Sequence, residues 1–326
     1  RRRAHSCRAL RGSGCPVYHG LPENNATVLA KSVPEVDLVV IGHTHQDDPV
    51  EIVDGISGHK VVITQPDYWA RSVSHVTIPL NFSATKVTIR HDQITVKPRY
   101  TRDVKEDTEF ASDSQLQTDH KATVRYVNSV VATSTETLTT ERSMVEDTPI
   151  LDFIGKVEAD TVAKAIKGGT YNGIPVIAQV SPFSRTAAFP KGDVTIKDIA
   201  GLYVFDNTLA GILLTGKQLE DYLEYSAKYF KQVKKGAAVN PAPASEGGDT
   251  QADYQGKPVW DYNYDAVTGV TYSIDISRPV GARILGLSWQ GRPVAHDQRF
   301  VLAINNYRMS GGGDYPHVTE APVVWD

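Results

Sequence analysis

The sequence predicts an α/β protein of two domains. Its 326 residues are about twice the ~150 expected of one domain. Residues 36–41 form a short, nearly continuous apolar run, Val36-Asp37-Leu38-Val39-Val40-Ile41, that stops at Gly42, the pattern of a strand buried on both faces of a sheet. Residues 109–131 are polar, lack Gly and Pro, and carry Leu116, Val124 and Val127, which predicts a helix joining two domains. The expected division is residues 1–107, a linking helix over 108–130, and 131–326.

Ahead of the buried strand, residues 23–32 place Ala26, Leu29 and Ala30 on one helical face and end before Pro34. Strands are expected at 61–64, 74–80, 87–90 and 93–98, separated by polar turns. In the second domain a helix is expected around 159–167, ended by Gly168-Gly169, with a strand at 175–179. Thr215-Gly216-Lys217-Gln218 has the form of a capping box, and Leu219, Tyr222, Leu223, Ala227 and Phe230 then fall on one face. Residues 235–255, rich in Gly, Ala, Pro and Ser, read as a mobile loop, and 300–304 as a strand.

Composition excludes several classes. A net charge of −4 argues against broad charge-driven binding to nucleic acid, and no apolar run reaches the ~18 residues of a membrane-spanning helix. Two cysteines cannot make a disulfide scaffold, and the spacing of Cys7 and Cys15 matches no zinc or redox motif. Arg1-Arg2-Arg3-Ala4-His5 has no apolar h-region, so no signal peptide is expected in this stretch, and the Arg triplet reads as a solvated tail.

Three features can carry chemistry. Gly42-His43-Thr44-His45 follows the buried strand, and ligands gather at the carboxyl ends of strands in α/β sheets. Two imidazoles at i and i+2 in extended backbone project to one side, and neutral imidazole suits divalent transition metals; the other reading is a pair of partly exposed loop histidines. Near the C-terminus, Asn305-Asn306-Tyr307-Arg308-Met309-Ser310-Gly311-Gly312-Gly313-Asp314 follows a strand, so its glycines either cradle an anion or form a plain turn. Tyr203-Val204-Phe205-Asp206-Asn207 offers aromatics that read either as core or as base-stacking platforms.

Taken together these motifs carry a resemblance. The segment from Asp37 to His45 is similar to the last metal-ligand motif of the calcineurin-like metallophosphoesterases. From about Val130 onward the chain resembles the C-terminal domain of 5′-nucleotidases. The carrying motifs, in order, are Val145-Glu146-Asp147-Thr148-Pro149-Ile150, Lys191-Gly192-Asp193-Val194-Thr195, Tyr203 to Leu209, Asp261-Tyr262-Asn263-Tyr264-Asp265, and Asn305-Asn306-Tyr307-Arg308. The wording is closest to the 2′,3′-cyclic-nucleotide 2′-phosphodiesterase/3′-nucleotidase branch. Gln179-Val180-Ser181-Pro182-Phe183-Ser184-Arg185 stands where ordinary 5′-nucleotidases carry a glycine-rich motif.

The resemblance implies the C-terminal part of a four-layer α-β-β-α metallophosphoesterase domain, a linker helix, and an α/β nucleoside-binding domain. It implies metal-dependent hydrolysis of nucleotide phosphoesters by two divalent ions. His43 and His45 match ligands of the two metals and His5 a further histidine ligand. Phe205 and Tyr307 match the aromatics that sandwich the base, Asn207 a residue that hydrogen-bonds it, Arg185 a phosphate-contacting arginine, and Asp314 the region of a ribose-binding acid. The family's Asp-x-His, Gly-Asp and Gly-Asn-His-Glu ligand motifs do not stand ahead of His5, and Cys7 stands where a glycine is expected, so at most one metal is expected in this chain. A sheet face left bare in residues 1–100 follows from the same comparison. The resemblance further implies a nucleotide or nucleoside partner rather than a nucleic acid duplex, a monomer, and a secreted, periplasmic or cell-surface setting.

Overall fold

The computed structural model describes residues 25–42 and 47–326. Two compact units divide at Lys121 and Ala122. In the first, α1 (Asn25–Ser32) precedes a three-stranded sheet of β1 (Leu38–Val40), β2 (Asp48–Asp54) and β3 (Lys60–Gln65), in the order β1-β3-β2. β1 runs parallel to β3, pairing Val39 with Ile63, while β2 is antiparallel to it. Ala26 and Ala30 pack against Val39, Val61 and Ile63. Among the described residues the central strand β3 is buried on both faces from Val61 to Gln65, whereas its neighbours open on the face away from α1: Val40 is 66% exposed and Ile52 on β2 is 58% exposed. The expectation of a strand buried on both sides is therefore corrected for β1, where Val39 packs under α1 and Val40 faces outward.

The expected strand at 74–80 is two strands. β4 (Ser72–Thr77) pairs with β7 (Thr95–Tyr100), and β5 (Leu80–Phe82) pairs with β6 (Val87–Ile89). Pro79 has no N–H to donate to a ladder, so the pairing changes partner beside it. The expected linking helix is likewise two, α2 (Thr108–Ala111) and α3 (Ser114–Val127). Asp107 accepts from Glu109 N and Phe110 N, and Asp113 accepts from Gln115 N and Leu116 N, so each carboxylate starts a helix of its own. The boundary between the units falls within α3.

The second unit opens with β8 (Val130–Ser134) and β9 (Leu138–Thr139), followed by α4 (Pro149–Ala165). α4 starts ten residues earlier than periodicity suggests. Pro149 sits in its first turn, and Gly155 lies inside it where a Cβ would meet Thr268 Oγ1 at 1.9 Å. The glycine lets helix and sheet approach, and it also masks the helical pattern. β10 (Val176–Val180), β11 (Ala188–Phe189), β12 (Gly192–Thr195) and α5 (Ile196–Leu202) follow, with β11 paired to β9 and β12 to β8.

β13 (Leu209–Thr215) leads into α6 (Gly216–Ser226). Here the capping box is complete: Gln218 N donates to Thr215 Oγ1 and Thr215 N to Gln218 Oε1. Leu219, Tyr222, Leu223, Ala227 and Phe230 are all buried, as their spacing predicts. After the short hairpin β14 (Asp253–Tyr254) and β15 (Lys257–Pro258) come β16 (Ala266–Thr268), β17 (Thr271–Ile274), β18 (Ile284–Trp289) and β19 (Arg292–Pro293). The chain ends through β20 (Arg299–Asn305), α7 (Asn306–Met309) and β21 (Val323–Trp325). The central sheet has the order β16-β10-β20-β13-β21. α6 covers one face through Ile177, Ile212, Leu302 and Ile304, while Val162 of α4 and Ile166 at its C-terminal cap cover the other through Ala178, Val301 and Ala303. No helix among the described residues is long and apolar enough to cross a membrane.

Candidate functional site

Strand direction brings the expected site residues to one end of the central sheet. β10 and β20 are parallel, with Ala178 beside Ala303, so Ser181 and Asn306 leave at the same end. β13 is antiparallel to β20 with Leu209 beside Asn305, and β16 is antiparallel to β10 with Ala266 beside Val180. The segments ending at Thr208 and Asp265 therefore enter at that end too. It is the carboxyl end of the parallel pair, where α/β sheets place ligands.

A loop and the start of α7, both carrying aromatics, are tied together there. Asn306 N donates to Thr208 O at 2.9 Å, and Thr208 N donates to Asn306 Oδ1 at 3.0 Å. The bonds link the Phe205–Asn207 segment to Asn306-Tyr307, next to the last sheet pairing. Phe183 packs edge-on against both Tyr203 and Phe205, each with centroids 5.0 Å apart, yet Phe205 stays 41% exposed. Asn207 Nδ2 donates to Tyr203 Oη at 3.4 Å. Tyr307 is partly buried, its hydroxyl 3.5 Å from Asn263 Oδ1, and burial raises its phenol above the ordinary tyrosine range. Phe205 is thus a supported, half-open platform and not core.

Beneath them lies a buried ion pair. Arg308 is fully buried, with Nε 2.7 Å from Asp265 Oδ2 and Nη2 2.8 Å from Asp265 Oδ1. It also donates to Gly312 O at 2.6 Å, Asn263 Oδ1 at 3.2 Å and Tyr262 O at 3.0 Å. Asp265 additionally accepts from Ser181 Oγ and Tyr222 Oη. The pair holds three chain segments in register and is bidentate, the strong form of such contacts. The C-terminal glycines are shaped around it. A Cβ on Gly313 would meet Arg308 Nη1 at 2.3 Å, and one on Gly312 the Tyr307 ring at 2.5 Å. The carbonyls of Gly312 and Gly313 accept from Arg308 and Tyr225, so the turn wraps a cation instead of cradling an anion. It leaves Asp314 exposed at φ 57°.

Arg185, the expected phosphate contact, is tied to neighbouring groups in this structure. Nε and Nη2 each lie 2.7 Å from an oxygen of Asp261. Nη1 donates to Pro241 O at 2.8 Å, and Nη2 also reaches Tyr229 Oη and Thr250 Oγ1. The same contacts correct the mobile-loop reading of 235–255: Thr250 is fully buried and bonded to Pro241 O and Ala242 O. Arg185→Ala should cost about 2 kcal/mol, the range for hydrogen bonds to charged groups, and open this loop to proteolysis. Unchanged cleavage there would show that Arg185 does not fasten it.

The expected metal ligands His5, His43 and His45 lie outside the described residues. β1 ends just before Ile41-Gly42, where Ile41 N still bonds Thr64 O.

Comparison with known proteins accords with this arrangement. The family model of the 5′-nucleotidase C-terminal domain matches residues 130–320. The chain belongs to that family. Over 93% of its length it is 26% identical to the trifunctional nucleotide phosphoesterase protein YfkN of Bacillus subtilis, covering 22% of that protein. Over 94% it is 27% identical to the 2′,3′-cyclic-nucleotide 2′-phosphodiesterase/3′-nucleotidase of Haemophilus influenzae, spanning 50% of it. The fold matches a crystal structure described as a 5′-nucleotidase from Staphylococcus aureus with a TM-score of 0.68 at 23% identity, covering 92% of this chain and 52% of that one. The chain is thus similar to the C-terminal part of a metallophosphoesterase-plus-C-terminal-domain architecture.

Within this 5′-nucleotidase C-terminal domain, sequence reasoning quoted Asp265 and Arg308 inside motifs but assigned them no role. An Asp and an Arg in separate motifs were the available signal; their pairing was not. It missed Lys228, whose Nζ lies 3.3 Å from the Tyr225 ring centroid. Burial lowers its amine to about 8, with the Asp314 carboxylate opposing. Nothing in the local sequence marks it.

Proposed function

We propose that this domain binds the nucleoside part of a nucleotide at the carboxyl end of β10 and β20, as part of a metal-dependent phosphohydrolase of nucleotide catabolism. The carrying observation is the reciprocal Thr208–Asn306 bonding, which holds the loop of Phe205 beside the first turn of α7, where Tyr307 sits. Both rings stack on the base, whose π-face is common to all bases, so base preference is weak. The Asn207 amide reads the base edge and the Asp314 carboxylate accepts from ribose hydroxyls. Arg185 keeps the rim of the site in place. The names of the relatives support phosphoester hydrolysis of 5′-, 3′- or 2′,3′-cyclic nucleotides. An extracytoplasmic setting and a monomeric state complete the reading.

His43 and His45, with His5, are the residues proposed to hold metal. Their donor chemistry, neutral imidazole, fits a single transition-metal ion, since three imidazoles supply no carboxylate to neutralise a second. When bound, divalent ions would stabilise phosphoryl charge and lower the pKa of a water. This chain is accordingly expected to bind nucleoside while turning over little nucleotide.

Calorimetry with adenosine tests the reading. Phe205→Ala and Tyr307→Ala should each weaken binding by about 1–3 kcal/mol, the range for base–aromatic stacking, with unchanged circular dichroism. Affinity equal to the parent's in both variants would refute the stacking assignment.

A further inference from the structure

We propose that Asp37, His59 and His91 form a divalent transition-metal site in the first unit. The three residues come from distant points in the chain. Asp37 directly precedes β1, His59 precedes β3, and His91 opens the 3-10 turn at His91–Gln93. Their donor atoms nonetheless lie within 4.8 Å of one another. His91 Nε2 is 2.5 Å and His59 Nε2 3.5 Å from the same oxygen, Asp37 Oδ1. The imidazoles stack with centroids 3.9 Å apart and planes tilted by 23°, both presenting Nε2 to that oxygen.

The geometry is close to that of a coordination shell. Zinc holds His nitrogen at about 2.0–2.1 Å and carboxylate oxygen at about 2.0–2.2 Å, so neighbouring ligands of a tetrahedral ion stand about 3.3 Å apart. The His59–Asp37 separation of 3.5 Å already suits this. The His91–Asp37 contact needs to open by less than 1 Å as an ion replaces the shared proton. Val36 O, 3.1 Å from His59 Nε2, offers a fourth ligand atom. His59 Nδ1 lies 2.6 Å from Ser57 Oγ. A ligating imidazole commonly donates its other N–H to such an outer partner, which directs Nε2 at the metal. All three side chains are partly buried, between 18% and 31% exposed, leaving a path for entry. Mixed imidazole and carboxylate donors select zinc and its neighbours over magnesium or calcium.

The site stands at the amino end of β1, whereas Gly42, the residue before His43, lies past its carboxyl end. Its role is a clip that holds the β2–β3 hairpin and the 3-10 turn to β1, and it does not depend on the nucleoside reading.

The full chain carrying His5→Ala, His43→Ala and His45→Ala is titrated with Zn2+ by calorimetry and, separately, with Co2+ followed by its visible d–d bands. One equivalent is expected, with the intense bands of a tetrahedral ion and a thermal midpoint raised by metal. Adding Asp37→Asn, which keeps the size and hydrogen bonding of the side chain, should weaken binding at least tenfold and abolish the shift in midpoint. His91→Ala should do the same, with circular dichroism confirming its fold. A triple variant that takes up no zinc, or an Asp37→Asn variant that binds it undiminished, would overturn the site.

Discussion

Arg308→Ala should destabilise the second unit by about 3–5 kcal/mol, the usual loss when one partner of a buried ion pair is removed. Arg308 has no solvent exposure and gives hydrogen bonds to Asp265, Asn263, Tyr262 and Gly312. Without it the Asp265 carboxylate stays buried with only Ser181 and Tyr222 to satisfy it. Three segments would lose their common anchor, so the turn bearing Asp314 and the short helix α7 bearing Tyr307 should loosen together. Arg308→Lys should recover only part of the loss, because an ammonium cannot make the bidentate contact. Replacing both partners with apolar residues of similar volume should recover more than either single change, since no charge is then stranded. Urea denaturation of the four variants measures this. A loss below about 1 kcal/mol for Arg308→Ala, the scale of an exposed pair, would refute the buried clamp.

The second large effect concerns pH. Glu158 lies on α4, and its Oε2 is shielded from solvent with no hydrogen-bond partner among the described residues. Burial, reinforced by the Asp265 carboxylate, raises its carboxyl from 4.5 to about 8. The native state therefore keeps a proton that the unfolded chain releases near the ordinary glutamate value. Stability from this group is full below about pH 4.5 and is lost as pH rises towards 8. Glu158→Gln is neutral at every pH and should remove that slope, leaving the variant more stable than the parent at pH 8 by a few kcal/mol, in proportion to a shift of this size. At pH 4 the two proteins should be nearly equal. Thermal midpoints across pH 4 to 9 decide it, and parallel profiles would mean that Glu158 ionises freely in the fold.

Much of the candidate site was legible because its residues travel in short motifs. Phe205 with Asn207, and Tyr307 with Arg308, sit within a few residues of strand ends. Local sequence can mark such positions, since a polar or aromatic run beside an apolar strand has no place in the core. The capping box at Thr215 was legible for the same reason, because donor and acceptor lie three residues apart. The start of α4 was not, since Gly155 is set by its contact with Thr268, 113 positions away. β2 was missed as well: Pro49 and flanking acids hide an edge strand whose apolar Val50 and Ile52 face outward.

By itself, the sequence determined the α/β class, the amphipathic face of α6, the order of motifs that marks the family, and the aromatics proposed to grip a base. These depend on interactions within one turn of helix, one strand or one loop. Only the tertiary structure decided that Arg185 fastens a loop against Asp261, that the C-terminal glycines close around Arg308, and that Asp37, His59 and His91 meet. Each of those outcomes depends on which distant charge or donor a side chain finds once the sheet has assembled. A guanidinium or an imidazole carries the same local signature whether it faces substrate, metal or a buried carboxylate, and only its partner settles which.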